Sequence, residues 1–409
     1  MPAIPLPSRQ LLALVMLLTA LGEASTQLIV PSLGAVEAAL GARPGAGVHA
    51  LSAFVAAFGL GQLLLGPLSD RIGRRPVLIG GLLTYLLGTG AMLLAGSLGE
   101  FIGARVLQGL GACACMVLAR TTVRDVWKAE AGPALAKSVI GMLSAVMFAL
   151  MLGGLLHAYG GWRAPIVASL LLGLGALAAV VWLMRESNLQ PDPRAGHLGS
   201  LARDYADLLR SPGFPSLVFA IAGTYGAMFA VIAGSSAVYV GRLQLSPAQY
   251  GLTFGSIVVG LVAGAYYTQR TIARLGPRRL VARGLLLVAS GALLSLLVHQ
   301  LFGLSVAGLS LPQLLVTLGG GMVLPASIAG AVIPNAHRAG LAAGFMGFAQ
   351  MLGATCSGLL LSALADGGAE PMLRVSLGFA LAGLGLFHFL RAGGLPAPQP
   401  ADSGRGASQ

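Results

Sequence analysis

Of the thirteen acidic residues, Glu23 is the one that lies deep inside an apolar run, roughly 12 residues or 18 Å from where the run at residue 11 begins. An ionised carboxylate in hydrocarbon costs several kcal/mol, so such a group faces a cavity or carries protons. It can take a proton from one side and release it to the other, or exchange that proton for a lipophilic cation. The bland alternative is a permanently protonated Glu23 bonded to Ser25, Thr26 or Gln27. Arg105, in another apolar run, either reaches a cavity and tunes that acid or snorkels to an interface. Gln27, Tyr225, Tyr239, Met346 and Gln350 offer amides, π-faces and a thioether suited to a pocket for flat apolar cations, although a lone aromatic or Met at such a place is more often packing. His157, His299 and His388 stand near the ends of apolar runs and read as interfacial polar groups. There is no catalytic triad, phosphate loop or metal-ligand spacing, and the glycines lack the strand-to-helix setting of a nucleotide site. Cys113, Cys115 and Cys356 fall in apolar stretches and read as small hydrophobes. The chain is expected not to be an enzyme and to need no cofactor.

The elements that position these groups follow from composition. The chain has 409 residues, 56% hydrophobic and 9% charged, where a soluble domain carries roughly 25% charge. Its 60 glycines suit close helix packing in lipid. The net charge of +12 has no basic face with stacking aromatics beside it, so no nucleic-acid partner is expected. Apolar runs of about 18 to 25 residues fall near 11–33, 48–66, 77–97, 100–121, 135–157, 163–185, 214–240, 249–270, 281–302, 312–333, 341–365 and 372–391. The stretch from Arg9 to Ala24 resembles a cleavable signal peptide, but its apolar pattern continues through Val30, as a spanning helix requires. With the N-terminus assigned to the cytoplasm, nearly all Lys and Arg fall on the cytoplasmic side, Arg43, Arg105, Arg163, Arg242 and Arg374 being the exceptions. Residues 186–212 form the longest polar interruption, with Pro191, Asp192, Pro193 and His197, and read as a cytoplasmic linker holding a short amphipathic surface helix. It separates a six-helix bundle at 1–185 from another at 213–392, and 393–409 reads as a flexible cytoplasmic tail. The halves echo each other: Asp70-Arg71-Ile72-Gly73-Arg74-Arg75-Pro76 in one place corresponds to Arg274-Leu275-Gly276-Pro277-Arg278-Arg279 in the other, without the acid.

With these residues in view, the chain resembles the major facilitator superfamily over nearly its whole length. Gly66-Pro67-Leu68-Ser69-Asp70-Arg71-Ile72-Gly73-Arg74-Arg75-Pro76 matches that superfamily's loop signature. The resemblance implies a conformational latch built on Gly66, Asp70, Arg71, Gly73, Arg74 and Arg75, whose charges pair with neighbouring helix ends in the outward-facing state. Arg105, Gln108, Gly109 and Gly111 look like the span-four motif of proton-coupled members, where the arginine is implicated in proton transfer. The continuation from Met116 through Arg120, Thr121, Thr122, Arg124 and Asp125 looks like the Bcr/CflA branch of drug:proton antiporters, including its EmrD-like members. Ile29-Val30-Pro31, Ala233-Gly234-Ser235-Ser236 and Leu245-Ser246-Pro247 do so too.

Two features depart from that pattern. The antiporter motif of span five has a Gly-Pro pair before its double glycine, and here Ala149-Leu150 precede Met151-Leu152-Gly153-Gly154, so a kink-forming ring is missing. In span one, Gln27 stands where many branch members carry aspartate, with Glu23 one turn earlier. The fold expected is an all-α integral membrane protein of twelve transmembrane helices in two six-helix bundles. The function expected is proton-coupled export of hydrophobic or cationic drugs across the bacterial inner membrane by a monomer, both termini cytoplasmic, with small molecules, protons and lipid as partners. The alternative is efflux or uptake of a sugar, amino acid or other metabolite.

Overall fold

The computed structural model describes residues 9–127, 148–188, 198–364 and 368–392, and every regular element among them is helical. The first half comprises α1 (Arg9–Ile29), α2 (Leu33–Ala39), α3 (Val48–Ile72), α4 (Arg74–Leu94), α5 (Leu98–Trp127), α6 (Phe148–Gly160) and α7 (Ala164–Leu183). After α8 (Leu198–Arg210) come α9 (Phe214–Ser236), α10 (Pro247–Leu275), α11 (Pro277–Phe302), α12 (Val306–Val332), α13 (Ala339–Leu364) and α14 (Ala369–Ala392). Eleven of the described helices, counting continuous runs, are long and apolar enough to cross a bilayer. Twelve apolar spans were expected. The fifth, near 135–157, appears as the shorter apolar helix α6, and residues 128–147 lie outside the described set. The linker residues Pro191, Asp192, Pro193 and His197, and the tail at 393–409, also lie outside it.

Local sequence explains where the helices start and stop. Gly73 between α3 and α4 has φ of 106°, and Gly276 between α10 and α11 has φ of 75°, a region that residues with a Cβ rarely enter. The echoed basic turns of the two halves thus make the same reversal. Ser246 caps α10 reciprocally: its Oγ accepts from Gln249 N at 3.2 Å, while Ser246 N donates to Gln249 Oε1 at 2.9 Å. Pro247 follows at the first helical position, where its missing N–H costs nothing. The first span runs past its expected end, because Pro31 begins a 3₁₀ turn over Val30–Ser32 that leads into α2 rather than into a loop.

Within the first half, α5 packs against α1, α3 and α4, and α7 packs against α1 and α4; within the second, α12 packs against α10 and α11, and α9 against α13 and α14. Glycine lets these backbones meet. A Cβ on Gly109 would stand 2.5 Å from the Phe54 carbonyl oxygen, and one on Gly319 equally close to that of Gly284. The halves touch along α3 and α13. At the end away from the basic turns they are closed: a Cβ on Gly251 of α10 would lie 2.6 Å from the Leu150 carbonyl of α6, and His49 Nε2 meets Ser362 Oγ at 2.8 Å. Outward faces carry exposed Leu87, Leu94, Trp182, Leu301 and Phe389, the surface a lipid environment solvates.

Candidate functional site

A cavity of about 230 Å³ lies between the halves. Eight helices contribute to its wall: α1, α3, α5 and α6 from the first half, and α9, α10, α12 and α13 from the second. Helices α4, α7, α11 and α14 contribute none. The cavity is displaced toward the end of the basic turns. Ile328 lies near the finish of α12 and Ala343 near the start of α13, both at that end, and both line it.

Glu23 and Gln27, one turn apart on α1, face this space together with Tyr225 of α9 and Gln350 of α13. Two residues expected on this wall are not on it. Tyr239 is fully buried beyond the end of α9, its hydroxyl 2.9 Å from Ser310 Oγ and its ring against Tyr250 and Phe254. It sits in a π-helical turn over Ala237–Arg242, whose wider winding turns the ring into that aromatic cluster. Met346 is also fully buried, packed in the apolar core that includes Phe214 and Leu280, because Gly347 occupies the cavity-facing position beside it.

Four polar groups on the wall escaped the sequence reading. Gln62 of α3, Gln313 and Thr317 of α12, and Arg120 of α5 join the other four. The signal was available for the amides, since Gln62 and Gln313 are uncharged polar residues inside apolar runs as Gln27 is. Arg120 was read only as part of the span-four signature. It shares the cavity wall with Glu23. Gln62 Nε2 and Gln27 Oε1 are buried with no protein partner. Gln313 Nε2 donates to Ser295 Oγ at 3.0 Å.

Arg105 lies elsewhere. Its side chain is fully buried, donating to Gln108 Oε1 and to the Ser25 carbonyl at 3.5 Å, with its guanidinium 4.2 Å from the Phe54 ring centre. Gln108 Nε2 in turn reaches Thr89 Oγ1 at 2.9 Å, and Ser25 Oγ meets the Tyr85 hydroxyl at 2.6 Å. Nε and Nη2 of Arg105 have no partner, and no acid among the described residues pairs with it. Arg105 therefore neither snorkels to an interface nor lines the cavity with Glu23. Gly109, next to Gln108, is the contact point with α3.

The basic turn holds a separate charge cluster. Arg74, nearly buried, pairs with Asp70, reaches Asp125 Oδ2 at 3.1 Å and donates to Ser69 Oγ at 2.6 Å. Ser69 Oγ donates to the Gly66 carbonyl at 2.7 Å. Arg71 is exposed, Arg75 donates to the Val181 carbonyl at 2.9 Å, and Arg124 lies 3.9 Å from Asp125. Glu186, read as a linker residue, instead receives Arg74 N at 2.9 Å and Arg75 N at 3.0 Å on its carboxylate. A carboxylate there satisfies orphan N–H groups and complements the positive end of the α4 dipole. These partners lie in the first half or at Glu186 directly after it, and none belongs to the second half.

Comparison with known proteins agrees with this architecture. Residues 12–358 match the family profile described as Major Facilitator Superfamily. A chloramphenicol resistance protein of Pseudomonas aeruginosa is 31% identical over 343 residues, covering 82% of this chain and 80% of its own. Multidrug resistance protein D of Escherichia coli is 29% identical over 353 residues, covering 86% and 87%. Among solved structures, a peptide transporter POT in complex with sulfate superposes with a TM-score of 0.76 over 95% of this chain and 96% of its own, at 15% identity, which bears on the fold alone. The eight-helix cavity, the lipid-facing outer helices and the matched profile together place the chain in the Major Facilitator Superfamily, as a membrane transporter and not an enzyme.

Proposed function

We propose that this chain exports hydrophobic or cationic drugs across the bacterial inner membrane in exchange for protons, by alternating access. The observation that carries the reading is Glu23: the one carboxylate among the described residues on the wall of a cavity between two packed halves, where protonation and substrate occupancy act on one site. The two relatives named for drug resistance match this chain over most of their length and support a drug as the cargo.

In this reading α6 belongs to the fifth of twelve spans, and the two halves are six-helix bundles joined by 186–212. The basic turns lie in the cytoplasm under the positive-inside rule, with both termini. The cavity then faces inward and the seal at His49 and Ser362 faces the periplasm. The chain works as a monomer, since its own eight helices complete the cavity wall. Asp70 and Arg74, paired here inside the first half, are the latch partners that exchange contacts when the halves rock.

Proton-gradient-dependent export of chloramphenicol or ethidium, measured in cells lacking their own pumps, tests this. Export lost in Glu23→Gln supports the reading. No gradient-dependent export of either compound would overturn it in favour of a carrier for a sugar, amino acid or other metabolite, which the amides and Arg120 on the wall would also suit.

A further inference from the structure

The two basic turns make the same reversal and differ in how their charges are met. In the first half, Arg74 pairs with Asp70 and Asp125, Arg75 donates to the Val181 carbonyl, and Glu186 takes the N–H groups that open α4. In the second half, Ala273 stands three residues before Gly276, the place that Asp70 holds before Gly73. Four exposed arginines flank Gly276: Arg270 and Arg274 on α10, Arg279 and Arg283 on α11. No carboxylate among the described residues pairs with any of them. The rest of the sequence has no surplus of acid to offer this end. Residues 128–147 carry Lys128 and Lys137 against Glu130, residues 189–197 carry Arg194 against Asp192, and residues 393–409 carry Arg405 against Asp402. Asp366, the remaining acid, comes four positions after Ser362 of the opposite, sealed end.

The same arginines continue the faces that meet lipid. On α11, Arg279, Arg283, Leu286, Leu293, Leu297 and Leu301 recur at spacings of three, four and seven, so they share one side of the helix, and all are exposed. From Leu286 to Leu301 this stripe rises about 22 Å, most of a hydrocarbon core about 30 Å thick. Arg279 and Arg283 precede it by one to two turns and fall at the level of the headgroups. On α10, exposed Val259, Tyr266 and Arg270 share a side in the same way, opposite Ile257 and Leu261, which turn to the cavity. The Arg270 guanidinium lies 5.0 Å from the Tyr266 ring centre, an interfacial aromatic beside a cation.

A guanidinium fork fits a phosphodiester, and clustered arginines at a membrane surface attract anionic headgroups. We infer that the turn between α10 and α11 binds anionic glycerophospholipid, its phosphate seated on Arg270, Arg274, Arg279 and Arg283 and its acyl chains lying along the stripe below them. A soluble polyanion would use the charge alone, whereas a lipid uses the charge and the apolar face continuous with it. The inference goes beyond drug export and is independent of the cargo.

The test is native mass spectrometry of the full chain, titrated in detergent with phosphatidylglycerol or phosphatidylcholine of the same acyl chains. The first phosphatidylglycerol is expected to bind on the order of tenfold more tightly than the first phosphatidylcholine. Arg279→Gln with Arg283→Gln, and Arg270→Gln with Arg274→Gln, are each expected to lower that preference about threefold or more. Arg185→Gln with Arg203→Gln removes two exposed charges from elsewhere at the same end and is expected to leave it unchanged. Where a glutamine pair is not monodisperse, Arg279→Lys with Arg283→Lys or Arg270→Lys with Arg274→Lys replaces it. Each lysine pair keeps the charge, gives up the fork, and is expected to lower the preference about twofold. Equal binding of the two lipids overturns the inference, as does an unchanged preference in the folded pair variants. An equal loss in the Arg185 and Arg203 pair overturns it too, by making the attraction a property of the whole basic end. So does displacement of phosphatidylglycerol by millimolar inorganic phosphate, which would show a site for the anion alone. None of these outcomes bears on drug export.

Discussion

Arg74 Nε lies 3.1 Å from Asp125 Oδ2, joining the turn between α3 and α4 to the last turn of α5 across fifty-one positions of sequence. Arg74 is nearly buried and also holds Asp70 and Ser69, so its guanidinium is the hub of the basic end of the first half. Removing one partner of such a pair leaves the other short of hydrogen bonds in a place water reaches poorly. Asp125→Asn is expected to lower stability by about 1–3 kcal/mol, the range for an unsatisfied buried partner. Thermal unfolding of the purified chain in detergent checks this, and an unchanged midpoint would show that the pair is ornamental.

Glu23→Gln keeps the shape and hydrogen-bonding capacity of the side chain and removes its proton exchange. Uphill export driven by a proton gradient is expected to fall at least about tenfold, on the low side of what a positioned acid or base contributes. Exchange of labelled for unlabelled substrate, which needs no net proton movement, is expected to survive. Retained uphill export by Glu23→Gln in proteoliposomes would move the coupling to another residue.

Helix α8 is a strap across both halves at the basic end. The Tyr205 hydroxyl donates to the Leu63 carbonyl of α3 at 3.1 Å, and its ring lies 5.5 Å from that of Phe345 on α13. Arg338 reaches Asp204 at 3.6 Å and Asp207 at 3.5 Å. Tyr205→Phe is expected to cost about 1 kcal/mol, the net value of one hydrogen bond. Burial first, and then the charge of Asp204, push the Tyr205 phenol up to about 12 from its ordinary 10.0. The folded state thus favours the protonated phenol: its contribution is complete below pH 10 and is lost as pH rises toward 12. Unfolding midpoints measured across that window are expected to fall less steeply for Tyr205→Phe than for the natural chain.

The seal between α6 and α10 has no room for side chains. A Cβ on Gly154 would overlap the Pro247 backbone, and one on Gly251 would lie 2.6 Å from the Leu150 carbonyl. Gly154→Val is expected to force these helices apart and shift the population toward the state open at that end. Labelling of a cysteine introduced at Ser52, buried where α3 meets Gly358 of α13, reads the shift with a membrane-impermeant thiol reagent. An increase of several-fold over the same cysteine in the natural background is expected, and unchanged labelling would show that the seal tolerates the bulk.

Much of this organisation was written in the apolar runs and their punctuation. The basic turns at Gly73 and Gly276, the cap at Ser246 and the amphipathic segment within the linker follow from local residue chemistry, and the structure puts helix boundaries at each. Glu23, Gln27, Tyr225 and Gln350 could be singled out because a polar group in hydrocarbon needs a reason. Which face such a group takes was harder to read. In α13, apolar and small residues surround the whole circumference, so nothing in the pattern distinguishes Met346 from Gly347, and only packing against Phe214 and Leu280 decides. Glu186 escaped for a different reason: its partners Arg74 and Arg75 are more than a hundred residues away, and a charge next to a proline-rich linker looks solvated until the chain folds back.

Four long helices that contribute nothing to the cavity, α4, α7, α11 and α14, act as a hull around a working interior. Their outward residues answer to the bilayer and their inward residues to close packing, and neither demand involves cargo. A lineage carrying this fold can therefore revise what it handles by changing the eight inner helices, while the hull is free to drift among Leu, Val, Phe and Ala. Adaptation to a membrane of another thickness or composition would be recorded in the opposite set of positions, leaving two histories of selection side by side in one polypeptide.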